Sequence, residues 1–201
     1  MARYKGDQKQ ISREEILKRA AERFRRDGVA AVGVRPLMAD AGLTHGGFYA
    51  HFASREDLIA AALEHAAEST LGYFQEVLAA APEAERLKVL IHSYLRVLHR
   101  DHMGLGCAVS ALGPEIARQP EETRQRFDVR GRGMVRLIAD QLPAGGSAEA
   151  RLDRASLVFA QMFGVLQLAR IETDPQVVER LIKGGRAAAL SLATQPWPET
   201  A

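Results

Sequence analysis

At 201 residues, 47% of them hydrophobic and 26% charged, the chain is long enough for one substantial core plus a small appended domain, and a globular protein is expected. No run approaches the ~18 to 20 uninterrupted apolar residues of a membrane span, and Met1 to Gln10 lacks the apolar stretch of a signal peptide, so a cytoplasmic location is expected. The single cysteine, Cys107, excludes an internal disulfide framework and a metal site built from thiolates alone. The net charge is only +2, yet residues 1 to 35 hold ten Lys or Arg against five Asp or Glu. That basic end is either a solvated helix face or a surface for a phosphate-rich partner.

Glycine and proline punctuate the chain at helical spacings and no alternating pattern persists, which predicts an all-α fold of about nine helices. The first is expected to begin at a Ser12–Glu15 capping box, to carry the stripe Ile16, Ala20 and Phe24, and to stop at Gly28. A short second helix carries Val34, Leu37, Met38 and Ala41, with Pro36 in its first turn and Gly42 at its end. Thr44 to His51 reads as a third, capped by the threonine, and Ser54 opens a long fourth that runs to about Ala80. After Pro82, Leu87, Leu90, Ile91, Tyr94 and Leu98 predict one continuous fifth helix ending in the turn from Asp101 to Gly106.

A short sixth helix starts near Cys107 and is expected to be disturbed at Gly113-Pro114, while Glu121 to Leu142 reads as a single seventh. Pro143 to Gly146 is a loop, Ser147 caps the eighth helix, and Asp174-Pro175 announces the ninth. Residues 157 to 169 are apolar nearly all round, so one face should meet the core of the chain and another a partner. The small residues Gly185, Ala188 and Ala189 of the last helix permit close approach. A homodimer through the last two helices buries both surfaces; the alternative is that they line a monomer core.

Residues 34 to 55 carry the functional signal. Two short helices joined by a glycine-relieved turn, the second presenting small or polar residues, is the pattern of a helix-turn-helix. Leu37, Met38, Ala41, Leu43, Phe48 and Phe52 supply inward contacts, leaving Thr44, His45, Gly46, Gly47, Tyr49 and His51 outward. Two adjacent glycines cost a helix about 1 kcal/mol each against alanine, so they ask for a reason, and close approach to another molecule is one. Tyr49 and His51 can both donate to phosphate oxygens.

The run from Ala41 to Leu58, Ala-Gly-Leu-Thr-His-Gly-Gly-Phe-Tyr-Ala-His-Phe-Ala-Ser-Arg-Glu-Asp-Leu, with the upstream helix through Phe24 and Gly28, resembles the N-terminal DNA-binding domain of the TetR family of regulators. The resemblance is strong over about residues 10 to 60. It implies a helix-turn-helix domain over residues 1–56 and a ligand-binding and dimerisation domain over 57–201. It further implies a homodimer on double-stranded operator DNA, with two recognition helices in successive major grooves, and a small-molecule inducer. Carried across by position, Thr44 caps the recognition helix and meets phosphate, while His45, Gly46 and Gly47 lie nearest the bases. Tyr49, His51, Arg55 and Arg35 hold the backbone. Gly33 and Pro36 depart from the polar residues usual at the start of the second helix.

Around Cys107 the reading is divided. A thiol at a helix start has its pKa lowered by the amide dipole, and Gly106-Cys107 followed by Leu112 and Glu115 resembles a TetR subgroup whose cysteine there senses reactive electrophiles. The other reading is that Cys107 is a small buried hydrophobe, the commoner fate of a cysteine. His99, His102 and Cys107 match no established zinc spacing, and no metal or other cofactor is expected. Phe74, Tyr94, Phe127, Met134, Met162 and Phe163 read as core. In the fold that the resemblance implies, this core surrounds a ligand cavity, so Tyr94, Phe127, Met134 and Phe163, with Cys107 and His102, are the candidates to line it. The resulting function is a ligand-responsive repressor and not an enzyme. The competing classes are a helical enzyme with Cys107 as nucleophile and His102 or His99 as base, a thiol-based sensor, or an interaction module whose last helices recruit another protein.

Overall fold

The computed structural model describes the backbone of residues 2–197 and the side chains of residues 8–197. The described residues are all-α: α1 (Ala2–Asp27), α2 (Val34–Asp40), α3 (Arg55–Ala79), α4 (Arg86–Tyr94), α5 (Val97–Asp101), α6 (Ala108–Ala117), α7 (Glu121–Gly131), α8 (Gly133–Gln141), α9 (Ala148–Ile171) and α10 (Pro175–Thr194). Three 3₁₀ segments, His45–Ala50, Glu83–Glu85 and Met103–Leu105, lie between them. None of these helices is long and apolar enough to cross a membrane.

Two compact units divide the chain: Met1–Thr70 with Met103–Arg130, and Leu71–His102 with Gly131–Ala201. The first unit therefore adds α6 and most of α7 to the N-terminal helices. Its core runs through Ile16, Ala20 and Phe24 of α1, Leu37 and Met38 of α2, Phe48 and Phe52, Leu58 and Leu63 of α3, and Leu112 of α6. Each fully buried side chain of this size contributes about 1.5 to 3 kcal/mol. Charges reinforce the packing: Arg23 pairs with Asp40 at 2.8 Å, and Arg126 of α7 meets Glu64 of α3 at 2.6 Å.

In the second unit the buried face of α9, with Ala155, Val158, Met162, Leu166 and Ala169, packs on that of α10, with Val178, Ile182 and Ala189. A Cβ added at Gly185 would stand 2.6 Å from Val165 Cγ1, so only glycine lets the two helices come this close. Tyr94 stacks on Phe74 at 5.9 Å and takes Phe159 and His99 edge-on at 5.8 and 4.7 Å. Trp197 lies over the Arg154 guanidinium at 3.6 Å.

Several expected boundaries move. The first helix begins at Ala2, so Ser12 lies inside it and caps nothing. The fifth helix is two, because the Leu95 backbone leaves helical geometry and its carbonyl accepts from Arg186 Nε at 2.7 Å, a tertiary bond that replaces a helical one. The seventh is also two, parting at Arg132 between Gly131 and Gly133. Conversely α6 runs unbroken through Pro114. The signals at Ser147 and Asp174 hold, the Ala150 and Gln176 amides donating to them at 3.1 and 2.8 Å.

Candidate nucleic-acid interface

The helix-turn-helix is assembled from local backbone chemistry. At the end of α1 Gly28 takes φ +84 and donates to the Phe24 carbonyl at 2.9 Å. At the end of α2 Gly42 takes φ +70, its amide bonding the Ala39 carbonyl and the Leu43 amide the Met38 carbonyl, the paired bonds of a Schellman turn. This turn launches the next segment back across α2. That segment is not the expected α-helix from Thr44 to His51 but a 3₁₀ helix, His45–Ala50, tightened by the bonds of Gly47 to Thr44 and His51 to Phe48. Thr44 occupies the N-cap position without a side-chain capping bond, contrary to the cap expected of it. A pair of glycines gives the segment little α-helical preference of its own, so tertiary anchoring by Phe48 and Phe52 decides its form.

Those anchors point inward as the spacing predicted. Leu37, Met38, Phe48 and Phe52 are buried, and Ala41 and Leu43 pack half-buried against the same core. On the opposite face Thr44, His45 and Gly46 are exposed and Tyr49 is 72% exposed. Gly47 and His51 are half-buried, and Arg35 on α2 is exposed. A Cβ at Gly46 would meet nothing within 4 Å, and one at Gly47 would make only ordinary contacts at 3.7 and 3.9 Å. Nothing inside the chain demands glycine at either place. His51 has its pKa pushed below the ordinary value, first by burial and then by the charges of Lys9 and Arg13 on α1.

Arg55 is drawn inward. Its Nη2 donates to the carbonyls of Val29 and Val32 at 3.0 and 3.4 Å, stitching the α1–α2 loop to the start of α3. Ser54 accepts from the Asp57 amide at 3.1 Å, and Asp57 reaches back to the Ala53 amide at 3.2 Å, one residue before the cap. Two further residues brace the unit, one of them, Arg25, not singled out in the sequence and the other, Glu115, noted there only beside Cys107. Glu115 of α6 accepts from the Val29 amide at 2.6 Å. Arg25 is buried, its Nε donating to the Gly104 carbonyl at 2.6 Å and its Nη1 to the Ala66 carbonyl and Ser69 hydroxyl at 3.3 Å. Spacing could have flagged Arg25, since it continues the buried row Leu17 and Ala21 at four-residue steps.

The candidates around the thiol divide between the units. Cys107 and Phe127 are buried in the first; Tyr94 and Met134 are buried, Phe163 half-buried and His102 exposed in the second. Cys107 is the N-cap residue of α6. Burial pushes the Arg25 guanidinium below its usual pKa, against which the charges of Cys107 and Glu22 pull upward. His99 is buried with Nδ1 2.7 Å from the Tyr94 carbonyl.

Residues 16–62 match the sequence profile of the bacterial regulatory proteins of the tetR family. Over 118 residues the chain is 30% identical to YerO of Bacillus subtilis, described as an uncharacterized HTH-type transcriptional regulator; the match takes in 57% of this chain and 40% of that protein. The fold superposes on E. coli NemR in its reduced form with a TM-score of 0.74 at 20% identity, covering 92% of this chain and 98% of that one. It superposes on a TetR transcriptional regulator from Chloroflexus aurantiacus with a TM-score of 0.69 at 25% identity, covering 92% and 96%. The profile match coincides with the helix-turn-helix, so residues 16–62 are similar to the DNA-binding segment of the tetR-family proteins, and the all-α fold over most of the chain is the one these solved regulators share.

Proposed function

We propose that this chain is a DNA-binding transcriptional regulator, a cytoplasmic ligand-responsive repressor that grips a palindromic operator as a homodimer. The observation that carries the reading is the exposed row Thr44, His45, Gly46 and Tyr49, mounted on a segment whose other face is locked down by Phe48. A short, glycine-thinned rod lets backbone and small side chains approach base edges closely. Exposed Tyr49 and His45, with Arg35 on α2, supply donors to phosphate and bases. Arg55 then acts from behind, fixing the loop that sets the angle of α2. The DNA-binding part is residues 1–56, and residues 57–201 serve dimerisation and ligand response.

Dimerisation has its own support. Leu157, Leu168 and Ile171 stand 60%, 57% and 77% exposed on α9 at spacings that keep them on one stripe, and a Cβ at Gly164 between them would meet nothing within 4 Å. On α10 Gly184 is equally open and Ala188 exposed, so both helices offer a flat apolar face to a second copy. An inducer held among Tyr94, Met134 and Phe163 would act by favouring one spacing of the two recognition segments. The charge of the buried Arg25 reaches Cys107 at the start of α6, which favours as a second trigger a thiol that reacts with electrophiles.

A genome-wide map of the DNA bound by the chain tests the reading. The expected result is a recurrent two-fold sequence whose half-sites lie roughly 34 to 36 Å apart. Scattered binding with no recurrent site would count against it.

A further inference from the structure

On α1, ahead of the helix-turn-helix, stands a set of cations, most of them paired within the chain. Arg19 pairs with Glu15, Arg23 with Asp40 and Arg26 with Asp27, each at 2.8 Å. Lys9 and Arg13 have no acidic partner among the described residues, although Glu14 beside them reaches across to His65. Arg13 is nonetheless held in place: its guanidinium carbon lies 4.9 Å from the centroid of the Phe52 ring. The His51 ring is tilted against the same Phe52, 6.4 Å between ring centroids, with its Nδ1 buried and unpaired. The charges of Lys9 and Arg13 both reach His51. Lys9 and Arg13 of α1 thus bring positive charge to His51 at the end of the recognition segment, with Arg13 anchored there on Phe52.

We propose that Lys9 and Arg13, one turn apart on α1, form with His51 a clamp for the DNA phosphate backbone that extends the interface beyond the recognition segment. The site rests on the DNA-binding reading above and adds to it a second element that touches nucleic acid. A phosphodiester supplies the negative charge that the cluster lacks. Arg13, already spread on Phe52, surrenders little side-chain freedom when it donates. Such a contact carries no sequence information; it adds affinity and fixes register.

The test is the salt dependence of binding by the full chain to a random-sequence duplex of about 30 base pairs, where phosphate contacts alone contribute. Removing one cation that neutralises a phosphate lowers the slope of log K against log salt by about 0.9, so the K9A/R13A variant should bind with a slope smaller by about 2. Exposed Lys18 on the same helix serves as control, and K9A alone keeps the test valid should removal of Arg13 disturb Phe52. A reduced slope for K9A and K9A/R13A with K18A unchanged supports the clamp. Unchanged slopes in all three, while the wild-type chain binds with steep salt dependence, overturn the clamp and leave the DNA reading standing. An equal drop in K18A also overturns it, as an effect of net charge. No salt-dependent binding by the wild-type chain overturns the DNA reading and the clamp together.

Discussion

The Val29 amide donates to Glu115 Oε2 at 2.6 Å, so the sixth helix holds the turn from which the helix-turn-helix departs. Gly28 precedes that turn at φ +84, and a Cβ there would stand 2.7 Å from the other carboxylate oxygen of Glu115. Removing the acceptor in Glu115→Ala leaves the Val29 amide unpaired and should cost about 1 to 3 kcal/mol, whereas Glu115→Gln keeps an acceptor oxygen and should cost less. Gly28→Ala should cost about 1 to 2 kcal/mol through its left-handed backbone. Denaturant unfolding measures each. Equal stability of the alanine variant at position 115 and the wild type would show that this hydrogen bond bears no weight.

Tyr49→Phe removes one hydroxyl from a side chain that is 72% exposed and so should leave stability within about 0.5 kcal/mol. Without its hydrogen bond to phosphate, operator binding should weaken roughly tenfold. Fluorescence anisotropy with labelled operator reads this directly, and unchanged affinity would remove Tyr49 from the interface.

What the sequence made legible was local. Gly28, Gly42, Ser54, Ser147 and Asp174 each act through bonds to residues within six positions, and each appears where composition placed it. The inward set from Leu37 to Phe52 follows from periodicity in the same way. What escaped was decided by distant partners. The break at Leu95 depends on Arg186, ninety-one residues on, and the inward turn of Arg55 depends on carbonyls left free by the α1–α2 loop. The 3₁₀ form of the recognition segment is a tertiary outcome too, since propensity there is nearly silent.

Burial, helped by the charges of Arg170 and Arg96, holds His99 down to about 4 from an ordinary 6.5, with the Tyr94 carbonyl opposing. The unfolded chain therefore binds more protons than the folded one between these values, so stability must fall as pH falls. The contribution is complete above about 6.5 and gone below about 4, and at most it amounts to about 3 kcal/mol. His99→Gln should flatten this part of the stability profile. A profile as steep in the variant as in the wild type would assign the dependence to other groups.

Cys107→Ser replaces a buried thiol with a group of similar size and should leave DNA binding intact. If the thiol is the second trigger, N-ethylmaleimide should release the wild-type chain from DNA and leave the serine variant bound. Release of both would exclude Cys107 as the sensor.

In the regulator reading, the face bearing Gly46 lies against duplex DNA. A Cβ there meets no atom of the chain within 4 Å, so Gly46→Glu can be accommodated without repacking and should shift stability by no more than about 0.5 kcal/mol. A carboxylate on that face would confront the phosphates and bases at a cost of several kcal/mol, so duplex affinity should drop by roughly 100-fold or more. Titration of the folded Gly46→Glu chain with operator DNA decides the matter: that drop is the expected outcome, and wild-type affinity would overturn the DNA-binding reading.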